Sequence, residues 1–478
     1  MMITISQFTF RAFVFLCMLN FSASWLIGLF SMNEPSEAYM QMDIAGQRKC
    51  IERRLASGEA YLQGLLQPEG ALFCYAFYGF SLVDSAVENN HDPRLRQAVI
   101  EKLEKLIPQI DQCCSEYPFT ACKNIAPSGG IIAAGCANLL RAGYAYLGGQ
   151  KADLLKTFHN NSAAIAESYR ISKSPFLESF PNLRWPVDNL AALESLRLHD
   201  RLYKSKYFSQ SSKRFIDWLS NNTDRESGMM IAQVDESGKI LDVPRGCALS
   251  WSLAFLQGIA PELDRQQYAL YRKKWLIKVL GTAGFREWWP GQEKFSSIKE
   301  GPVLFDIGAA ASGLGIAATH AHKDKSALTG LLRGLEAIGF PSWNLQGEKS
   351  YLGQFFLLGD VLALWGKTCV PWDQENPQSE FPDLQLQNYQ TVLLLASAIS
   401  ILLFSLSGFF LYRALQLLKS RSKDSYKKTE LTFGAITASA ILANLIFPSF
   451  AWYWTFSILT TSLALERWYG LIHRMRQA

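Results

Sequence analysis

The chain has 478 residues, of which 49% are hydrophobic and 19% charged, and its net charge is +5. The charged share is below the usual value of about 25%, as expected where apolar membrane segments dilute the charge. Many of the basic residues lie beside the C-terminal apolar runs, which is typical of a membrane-orientation signal. We therefore exclude a nucleic-acid-binding protein, which would need a basic stripe on a folded domain.

The first apolar run covers residues 12–30 and follows Arg11. It is long enough to cross a bilayer as one helix. It is equally compatible with a signal peptide cleaved near residues 22–24. Either alternative makes residues 1–35 an N-terminal anchor or signal segment and places the next domain on the far side of the membrane.

Residues 46–370 are predicted to form one mostly helical domain. Apolar residues recur there at three- and four-residue intervals, and Gly, Pro, Asn or Asp stand at the breaks. Strand-like alternation is clearest in residues 228–243, which predict a short hairpin around residues 235–238. The clearest predicted helices cover residues 94–107, 136–147, 188–202, 211–221, 266–280, 307–322 and 353–365.

The predicted fold class is all-α, a closed (α/α)6 toroid with additional transmembrane helices. Roughly eleven or twelve helical patterns of similar length favour this closed ring. An open solenoid is the alternative, but it would show a fixed sequence period, and none is visible. The small residues of 308–315 indicate a crowded inner helix, whose start would lie at a funnel shared by all the inner helices.

A linker and a second membrane segment follow. Three prolines among acidic and amide residues mark residues 371–390 as the linker. Residues 391–412 predict a transmembrane helix. The excess of Lys and Arg in residues 413–430 marks a cytoplasmic loop, so the helical domain is expected outside the cytoplasm.

The last apolar run, residues 431–465, exceeds the length of about 20 residues that one span needs. Pro448 divides it, which favours a transmembrane hairpin that returns the basic tail, residues 466–478, to the cytoplasm. One kinked helix is the alternative and would leave the tail outside. The charge pattern favours the hairpin, and the protein is predicted to be a multi-pass protein of the cytoplasmic membrane.

The nine cysteines and six histidines show no zinc-site spacing, so no metal site is expected. Eight of the cysteines fall in the helical domain. They are compatible either with a disulfide or two in an oxidising compartment or with buried free thiols.

Four carboxylates in loops before predicted helices are the candidate catalytic residues. Asp188 either caps the helix that follows it or takes part in catalysis. Glu287, Glu300 and Asp306 lie near the start of the helix predicted over residues 307–322. Two of these three are expected to act as general acid and general base, and a solvated surface position is the alternative for at least one.

The candidate substrate-binding residues are polar or aromatic side chains in the same loops or in earlier ones. Arg245 either clamps a carboxylate or phosphate or pairs with Asp242. The aromatic candidates suit stacking against a sugar or terpenoid, and each is equally compatible with a core position. The remaining candidates are Tyr75, Tyr78, Asn138, Trp185, Trp251 and Trp288.

Several segments of residues 70–365 carry a family resemblance. They are residues 74–79, 135–140, 143–144, 174–176, 188–207, 248–253, 286–287 and the Gly-rich segment that ends near His322. In these segments the sequence resembles the linalool dehydratase/isomerase family. The resemblance implies an (α/α)6 barrel and chemistry without a metal or organic cofactor. The catalytic cysteines of the founding enzyme have no counterpart in residues 178–189, and Cys136 stands where that enzyme has a catalytic histidine. No catalytic role is therefore carried over.

Three functions remain open. The leading hypothesis is a membrane-anchored enzyme with lyase- or isomerase-type acid–base chemistry on a lipid-linked or cell-envelope molecule. The second is a glycan-active hydrolase, lyase or epimerase, and the third is a non-catalytic membrane scaffold or sensor. The expected partners are the lipid bilayer and a small-molecule, lipid-linked or glycan substrate, with no nucleic acid.

Overall fold

The computed structural model describes residues 2–65, 67–292, 301–373 and 381–419. Glu300, the end of the predicted cytoplasmic loop, the predicted hairpin of residues 431–465 and the basic tail lie outside the described residues. The chain divides into two compact units. The smaller unit holds Met1–Cys50, Gly339–Phe356 and Thr391–Ala478, and the larger holds Ile51–Ile338 and Leu357–Gln390.

The described residues are mostly helical. The helices are α1 (Met2–Ser31), α2 (Glu37–Ala56), α3 (Glu59–Gln63), α4 (Gly70–Glu88), α5 (Pro93–Cys114), α6 (Ile131–Tyr146), α7 (Ala152–Ile171), α8 (Leu190–Tyr203), α9 (Tyr207–Asn221), α10 (Gly246–Ile259), α11 (Pro261–Lys274), α12 (Ala309–Ala321), α13 (Lys325–Ile338), α14 (Leu357–Thr368) and α15 (Tyr389–Lys419). Short 3₁₀ helices cover Phe119–Cys122, Pro186–Asn189 and Leu352–Gln354.

The strands form two-stranded antiparallel hairpins. They are β1 (Gln233–Val234) with β2 (Ile240–Asp242), β3 (Leu276–Val279) with β4 (Thr282–Phe285), β5 (Val303–Leu304) with β6 (Ile307–Gly308), and β7 (Ser342–Trp343) with β8 (Lys349–Ser350). The hairpin predicted in residues 228–243 is confirmed. The helix predicted over residues 266–280 is wrong at its end, because α11 stops at Lys274 and β3 begins two residues later.

Six helices of the larger unit form a closed ring. These inner helices are α4, α6, α8, α10, α12 and α14, and each packs against the next, with α14 packing against α4. Outer helices α5, α7, α9, α11 and α13 separate them in the chain, and each packs on the inner helix that precedes it or on both neighbours. This arrangement is an (α/α)6 toroid. The predicted fold class is confirmed, and the open solenoid is excluded.

The sequence explains which helices lie inside the ring. The outer helix α5 has one apolar face, and its start is fixed by Asp92, whose carboxylate accepts hydrogen bonds from the N–H groups of Arg94 and Leu95. The inner helix α4 is apolar around most of its circumference and is buried from Gly70 to Ala86 with one exception, Ala71. A helix that is hydrophobic on every side belongs in the interior of a protein or in a membrane.

Three helices are long and apolar enough to cross a bilayer by length and composition. The α4 segment is 89% buried, so its apolarity is explained by the ring interior. The other two segments, Val14–Ser31 of α1 and Tyr389–Phe409 of α15, are only 28% and 22% buried. The structure is therefore compatible with a membrane protein.

The smaller unit places the hairpin β7–β8 against α1. The ring of Phe340 lies 5.6 Å from Phe21 and 5.8 Å from Trp25, and the backbone N–H of Trp343 donates to the hydroxyl of Ser24 at 3.1 Å. Lys349 of this hairpin forms a fully buried ion pair with Asp43 of α2. These contacts tie residues 340–350 to the first two helices.

The interior of the ring is filled by aromatic side chains from opposite helices. In a ring of six, α4 and α10 face each other, and Trp251 of α10 lies 5.5 Å from Phe73 and 5.4 Å from Phe77 of α4. The next pair along the axis is Phe80 and Phe255, at 6.1 Å. We call these five residues and Trp365 of α14, which lies 4.6 Å from Phe77, the axial aromatic cluster. It separates the two ends of the ring.

All nine cysteines are free thiols in the structure. Burial raises the pKa of Cys74 and Cys136 well above the usual value of a thiol. Such thiols are neutral and pack as small apolar groups. Of the two alternatives for the cysteines, the structure favours buried thiols.

Candidate functional site

The inner helices all begin at the same end of the ring. Consecutive helices joined by short connections run antiparallel, so inner helices separated by a single outer helix run parallel to each other. The residues just before the inner helices, among them Glu69, Gly130, Asp188 and Arg245, therefore meet at one end. We call this end the N-terminal mouth.

Asp188 lies in the 3₁₀ helix Pro186–Asn189, immediately before α8. Asn189 is the N-cap of α8, and its side-chain oxygen accepts hydrogen bonds from the Tyr169 hydroxyl at 2.8 Å and the Leu177 N–H at 2.9 Å. The carboxylate of Asp188 instead accepts a hydrogen bond from the Ser179 hydroxyl at 2.5 Å. Helix capping, the alternative explanation for this residue, is excluded.

The surroundings of Asp188 change its acidity. Burial raises the pKa of its carboxyl to about 7, the Ser179 hydroxyl acts in the opposite direction, and the negative charge of Glu69 adds to the rise. A pKa close to neutrality means that protonated and ionised forms are both populated, which is the condition for general acid and base catalysis. A part of the side chain remains exposed, so a proton can be exchanged with a bound molecule.

A glycine fixes the loop that carries Ser179. Gly130, just before α6, has a φ of 85°, and a Cβ atom at this position would lie 2.1 Å from the carbonyl oxygen of Ser179. The N–H of Ile131 donates to the carbonyl of Glu178 at 2.8 Å. The close approach of these backbones, which requires glycine, holds the Ser179 hydroxyl beside Asp188.

Arg245, Glu287 and Trp288 form a second group at the mouth. The Glu287 carboxylate accepts hydrogen bonds from the Arg245 guanidinium at 3.4 Å and from the backbone N–H of Cys247 at 3.2 Å. The guanidinium also lies over the Trp288 ring, 4.7 Å from its centre, in cation–π geometry. Three residues predicted separately from the sequence are therefore brought together.

The contacts of Glu287 indicate an anchoring role. Its side chain has no exposed surface, and its carboxylate lies against the first turn of α10, where the positive end of the helix dipole stabilises a negative charge. A Cβ atom at Gly308, the N-cap of α12, would lie 3.0 Å from the same carboxylate. Glu287 thus joins the starts of two inner helices.

Residues 157–350 match the model of the family described as linalool dehydratase/isomerase. The family resemblance is confirmed over this segment. It contains Asp188, Ser179, Arg245, Glu287 and Asp306, while Cys136 and the earlier candidates lie before it. No curated protein matches the chain significantly.

Three solved structures are similar to parts of the chain. A GH76 alpha-mannanase of Bacteroides thetaiotaomicron has a TM-score of 0.39 at 10% identity, covering 62% of this chain and 84% of its own. An unsaturated glucuronyl hydrolase specific for heparin has a TM-score of 0.39 at 13% identity, with the same two coverages. An unsaturated glucuronyl hydrolase from Streptococcus agalactiae has a TM-score of 0.38 at 12% identity, covering 61% of this chain and 80% of its own.

The departure of this chain from the linalool dehydratase/isomerase pattern falls beside Asp188. Cys136, which the resemblance places at the founding enzyme's catalytic histidine, lies before the matched segment and is fully buried. Burial raises the pKa of its thiol well above the usual value, and the negative charges of Cys114 and Asp188 act in the same direction. A neutral thiol is a poor nucleophile and a poor base, so of these two neighbouring groups only the carboxyl of Asp188 has a pKa close to neutrality.

Asp306 and Trp185 are exposed to different degrees. Asp306 is 63% exposed and pairs with Arg286 at 2.7 Å, which is a surface ion pair. Trp185 is partly exposed and packs its ring edge-on against Phe180 at 6.5 Å, beside Ser179. Trp185 is therefore close to Asp188, and Asp306 contacts the loop before Glu287.

The other four candidates lie in the ring wall or interior. Tyr78 donates its hydroxyl to Glu52 at 2.5 Å. The Asn138 amide donates to the hydroxyls of Ser162 and Ser195, both at 3.0 Å. These contacts join neighbouring helices. Trp251 belongs to the axial aromatic cluster, and Tyr75 is buried with its ring edge-on to Tyr61 at 6.3 Å.

Replacing Ser179 with alanine is expected to move the pH dependence of activity to higher pH. The Ser179 hydroxyl stabilises the ionised form of Asp188, so its loss raises the pKa of that carboxyl further above 7. If Asp188 acts as a base the acidic limb moves up, and if it acts as an acid the basic limb moves up. The measurement is the pH profile of kcat/KM, and an unchanged profile would contradict the assignment.

Proposed function

We propose that this chain is a membrane-anchored (α/α)6-barrel enzyme that performs lyase- or isomerase-type acid–base chemistry at its N-terminal mouth, with Asp188 as the proton-transfer group. One observation carries the proposal. Asp188 is a carboxyl whose pKa is raised by burial to about 7 and whose one hydrogen bond in the described part of the chain comes from Ser179. Carboxyls tuned in this way are typical of catalytic acids and bases.

The chemistry follows from the two protonation states. The protonated carboxyl of Asp188 donates its proton to a hydroxyl of the substrate, the C–O bond breaks, and water leaves. The carboxylate then accepts a proton from an adjacent carbon, and the electrons of that C–H bond form the new double bond. The residue ends in its starting state, so a single carboxyl near neutrality suffices for an elimination or, with water returning at another carbon, for an isomerisation.

The substrate class is inferred from what surrounds the mouth. Arg245, which is paired with Glu287 and stacked on the buried Trp288, places a guanidinium at the mouth, which suits a substrate with an anionic group. The exposed apolar segments of α1 and α15 would keep the ring near a bilayer. We therefore propose a lipid-linked or cell-envelope molecule as substrate.

The ring is proposed to lie outside the cytoplasm. Arg413, Lys419, Arg421, Lys423, Lys427 and Lys428 follow the apolar segment of α15, and such basic loops remain in the cytoplasm. A single cysteine introduced at the exposed position 217 would then react with a membrane-impermeant maleimide in intact cells. Reaction only after lysis would place the ring in the cytoplasm.

The proposed function is tested with Asp188→Asn. The full chain, purified in detergent, is incubated with an envelope lipid extract of the host, and the products are followed by mass spectrometry. The wild type is expected to convert one lipid species into a product. The mass of this product differs from that of the substrate by one water molecule for an elimination and is unchanged for an isomerisation. Asp188→Asn is expected to lose at least about 100-fold in rate, as for removal of a catalytic acid–base group.

Asp217→Asn is the matched control. Asp217 is a 61% exposed carboxylate of the outer helix α9, paired with Lys213, and its replacement is expected to leave turnover unchanged. Conversion by Asp188→Asn at the wild-type rate would exclude the proposal. Conversion of a polysaccharide instead of a lipid species would favour a glycan-active enzyme, and a chain that converts nothing would favour the scaffold.

A further inference from the structure

A cavity lies at the other end of the ring, toward the ends of α4, α10 and α14. We call it the C-terminal pocket. The axial aromatic cluster separates it from the N-terminal mouth, although Phe80, Phe255 and Trp365 of that cluster also form its inner wall. Its polar lining consists of Asp84, Glu194 and Gln257, and Trp372 closes one side.

Asp84 has an unused acceptor in this cavity. The side chain is 1% exposed, and its Oδ1 accepts a hydrogen bond from the indole N–H of Trp372 at 2.6 Å. Its Oδ2 is buried and accepts no hydrogen bond from the described residues, and the same holds for Oε1 of Gln257. Buried polar atoms are nearly always hydrogen-bonded. The carboxylate form of Asp84 would leave two acceptors without donors in one cavity, so this form calls for a ligand that brings donors.

The charges around the cavity leave Asp84 without a cation. Glu194 pairs with Arg197 at 2.6 Å, and Arg197 also pairs with Asp373 at 2.6 Å. Among the ion pairs of the described residues, none includes Asp84. Burial raises the pKa of Asp84 well above its usual range, and the negative charge of Glu88 acts in the same direction. Hydrogen bonds from Trp372, the Val370 N–H and the Thr368 hydroxyl to this carboxyl act in the opposite direction.

We propose that the C-terminal pocket binds the ammonium group of a small primary amine. The N–H donors of an ammonium group would satisfy Oδ2 of Asp84 and Oε1 of Gln257. Its positive charge would pair with Asp84 and would be attracted to the faces of the surrounding aromatic rings. The free space holds about two water-sized groups, which suits an ammonium group with one methyl group and excludes a quaternary ammonium.

The binding would be coupled to a proton. The raised pKa favours the protonated form of Asp84 in the empty pocket, and the ammonium group favours the carboxylate. Binding therefore releases a proton, and the affinity is expected to rise about tenfold per pH unit below the pKa of Asp84. This site is independent of Asp188, so its test does not depend on the proposed function.

The experiment titrates the detergent-solubilised full chain with methylammonium chloride and follows tryptophan fluorescence and heat release. Sodium chloride at equal ionic strength and tetramethylammonium chloride are the comparison salts. We expect saturable binding of methylammonium alone, with an affinity that rises with pH as long as the pH is below the pKa of Asp84. Asp84→Asn should weaken it at least tenfold, and Asp217→Asn should not change it.

A second variant, Ala254→Leu, tests the C-terminal pocket independently of whether Asp84→Asn folds. Ala254→Leu fills the C-terminal pocket without altering a polar group, and it is also expected to abolish binding while the circular dichroism spectrum stays that of the wild type. Equal responses to methylammonium and sodium would mean that the cavity holds water only. That result, or binding by Ala254→Leu at wild-type affinity, would overturn the proposal.

Discussion

Replacing Asp188 with asparagine is expected to stabilise the ring at pH 8 while it removes turnover. The pKa of this carboxyl is about 7 in the folded chain, against a usual value of 3.8. Between these two values the folded state keeps a proton that the unfolded state has lost. The free energy of unfolding of the wild type therefore falls as the pH rises from about 4 to about 7 and is level above that. Asparagine does not ionise, so this decrease in the free energy of unfolding does not occur in Asp188→Asn.

The full difference between the two pKa values corresponds to about 4 kcal/mol, and partial exposure of the side chain reduces it to about 2–4 kcal/mol. The measurement is urea denaturation of both proteins at pH 4.5 and at pH 8. The two should be nearly equal in stability at pH 4.5, and Asp188→Asn should be the more stable at pH 8. Identical pH slopes would show that Asp188 is already ionised well below neutrality, which would also remove the basis of the proposed function.

Replacing Arg54 with methionine is expected to destabilise the ring by about 3–5 kcal/mol, the usual cost of breaking a buried ion pair. Arg54 is 1% exposed and lies in α2, where its guanidinium contacts Asp360 of α14 and Glu59, both at 2.7 Å. Asp360 is also 1% exposed. Methionine keeps much of the volume but leaves the carboxylate of Asp360 without its cation, in a place from which water is excluded.

The ion pair between Arg54 and Asp360 joins α2, which precedes the first inner helix α4, to the last inner helix α14. Breaking it therefore weakens the packing at the point where the ring closes. The measurement is the denaturation midpoint of the full chain. Arg170→Met is the control, because Arg170 pairs with Glu167 on an exposed face and such pairs contribute little. Replacing Arg54 and Asp360 together with apolar residues should recover part of the loss. A midpoint equal to that of Arg170→Met would contradict the expected role.

The sequence predicted helices of both layers: four of the clearest patterns fall on inner helices and three on outer ones. An outer helix such as α5 shows an apolar stripe at intervals of three and four residues, which periodicity detects. The inner helix α4 was not predicted, because a segment that is apolar on every side has no stripe. The strand β3 was included in a helix for a related reason. Residues 276–279 continue the apolar spacing of α11, and only the pairing with β4 decides between the two structures.

The candidate site could be predicted in part. The loop before α8 identified Asp188, but its pKa depends on Ser179 nine residues away and on Glu69 in another loop. Glu287 and Asp306 looked alike in the sequence, since both precede α12. The fold buries the first completely and leaves the second 63% exposed. Local pattern selects the type of residue near a site, whereas burial depends on contacts between distant segments.

The axial aromatic cluster also blocks the passage of small molecules along the axis of the ring. Because the rings of α4, α10 and α14 meet on the axis, the described part of the barrel has no open passage between the N-terminal mouth and the C-terminal pocket. A substrate that binds at the N-terminal mouth and the product formed from it would then enter and leave through this mouth. Bound product would therefore block binding of the next substrate molecule. Product that binds at the mouth is expected to inhibit competitively with the substrate, and this inhibition should persist in variants that alter only the C-terminal pocket.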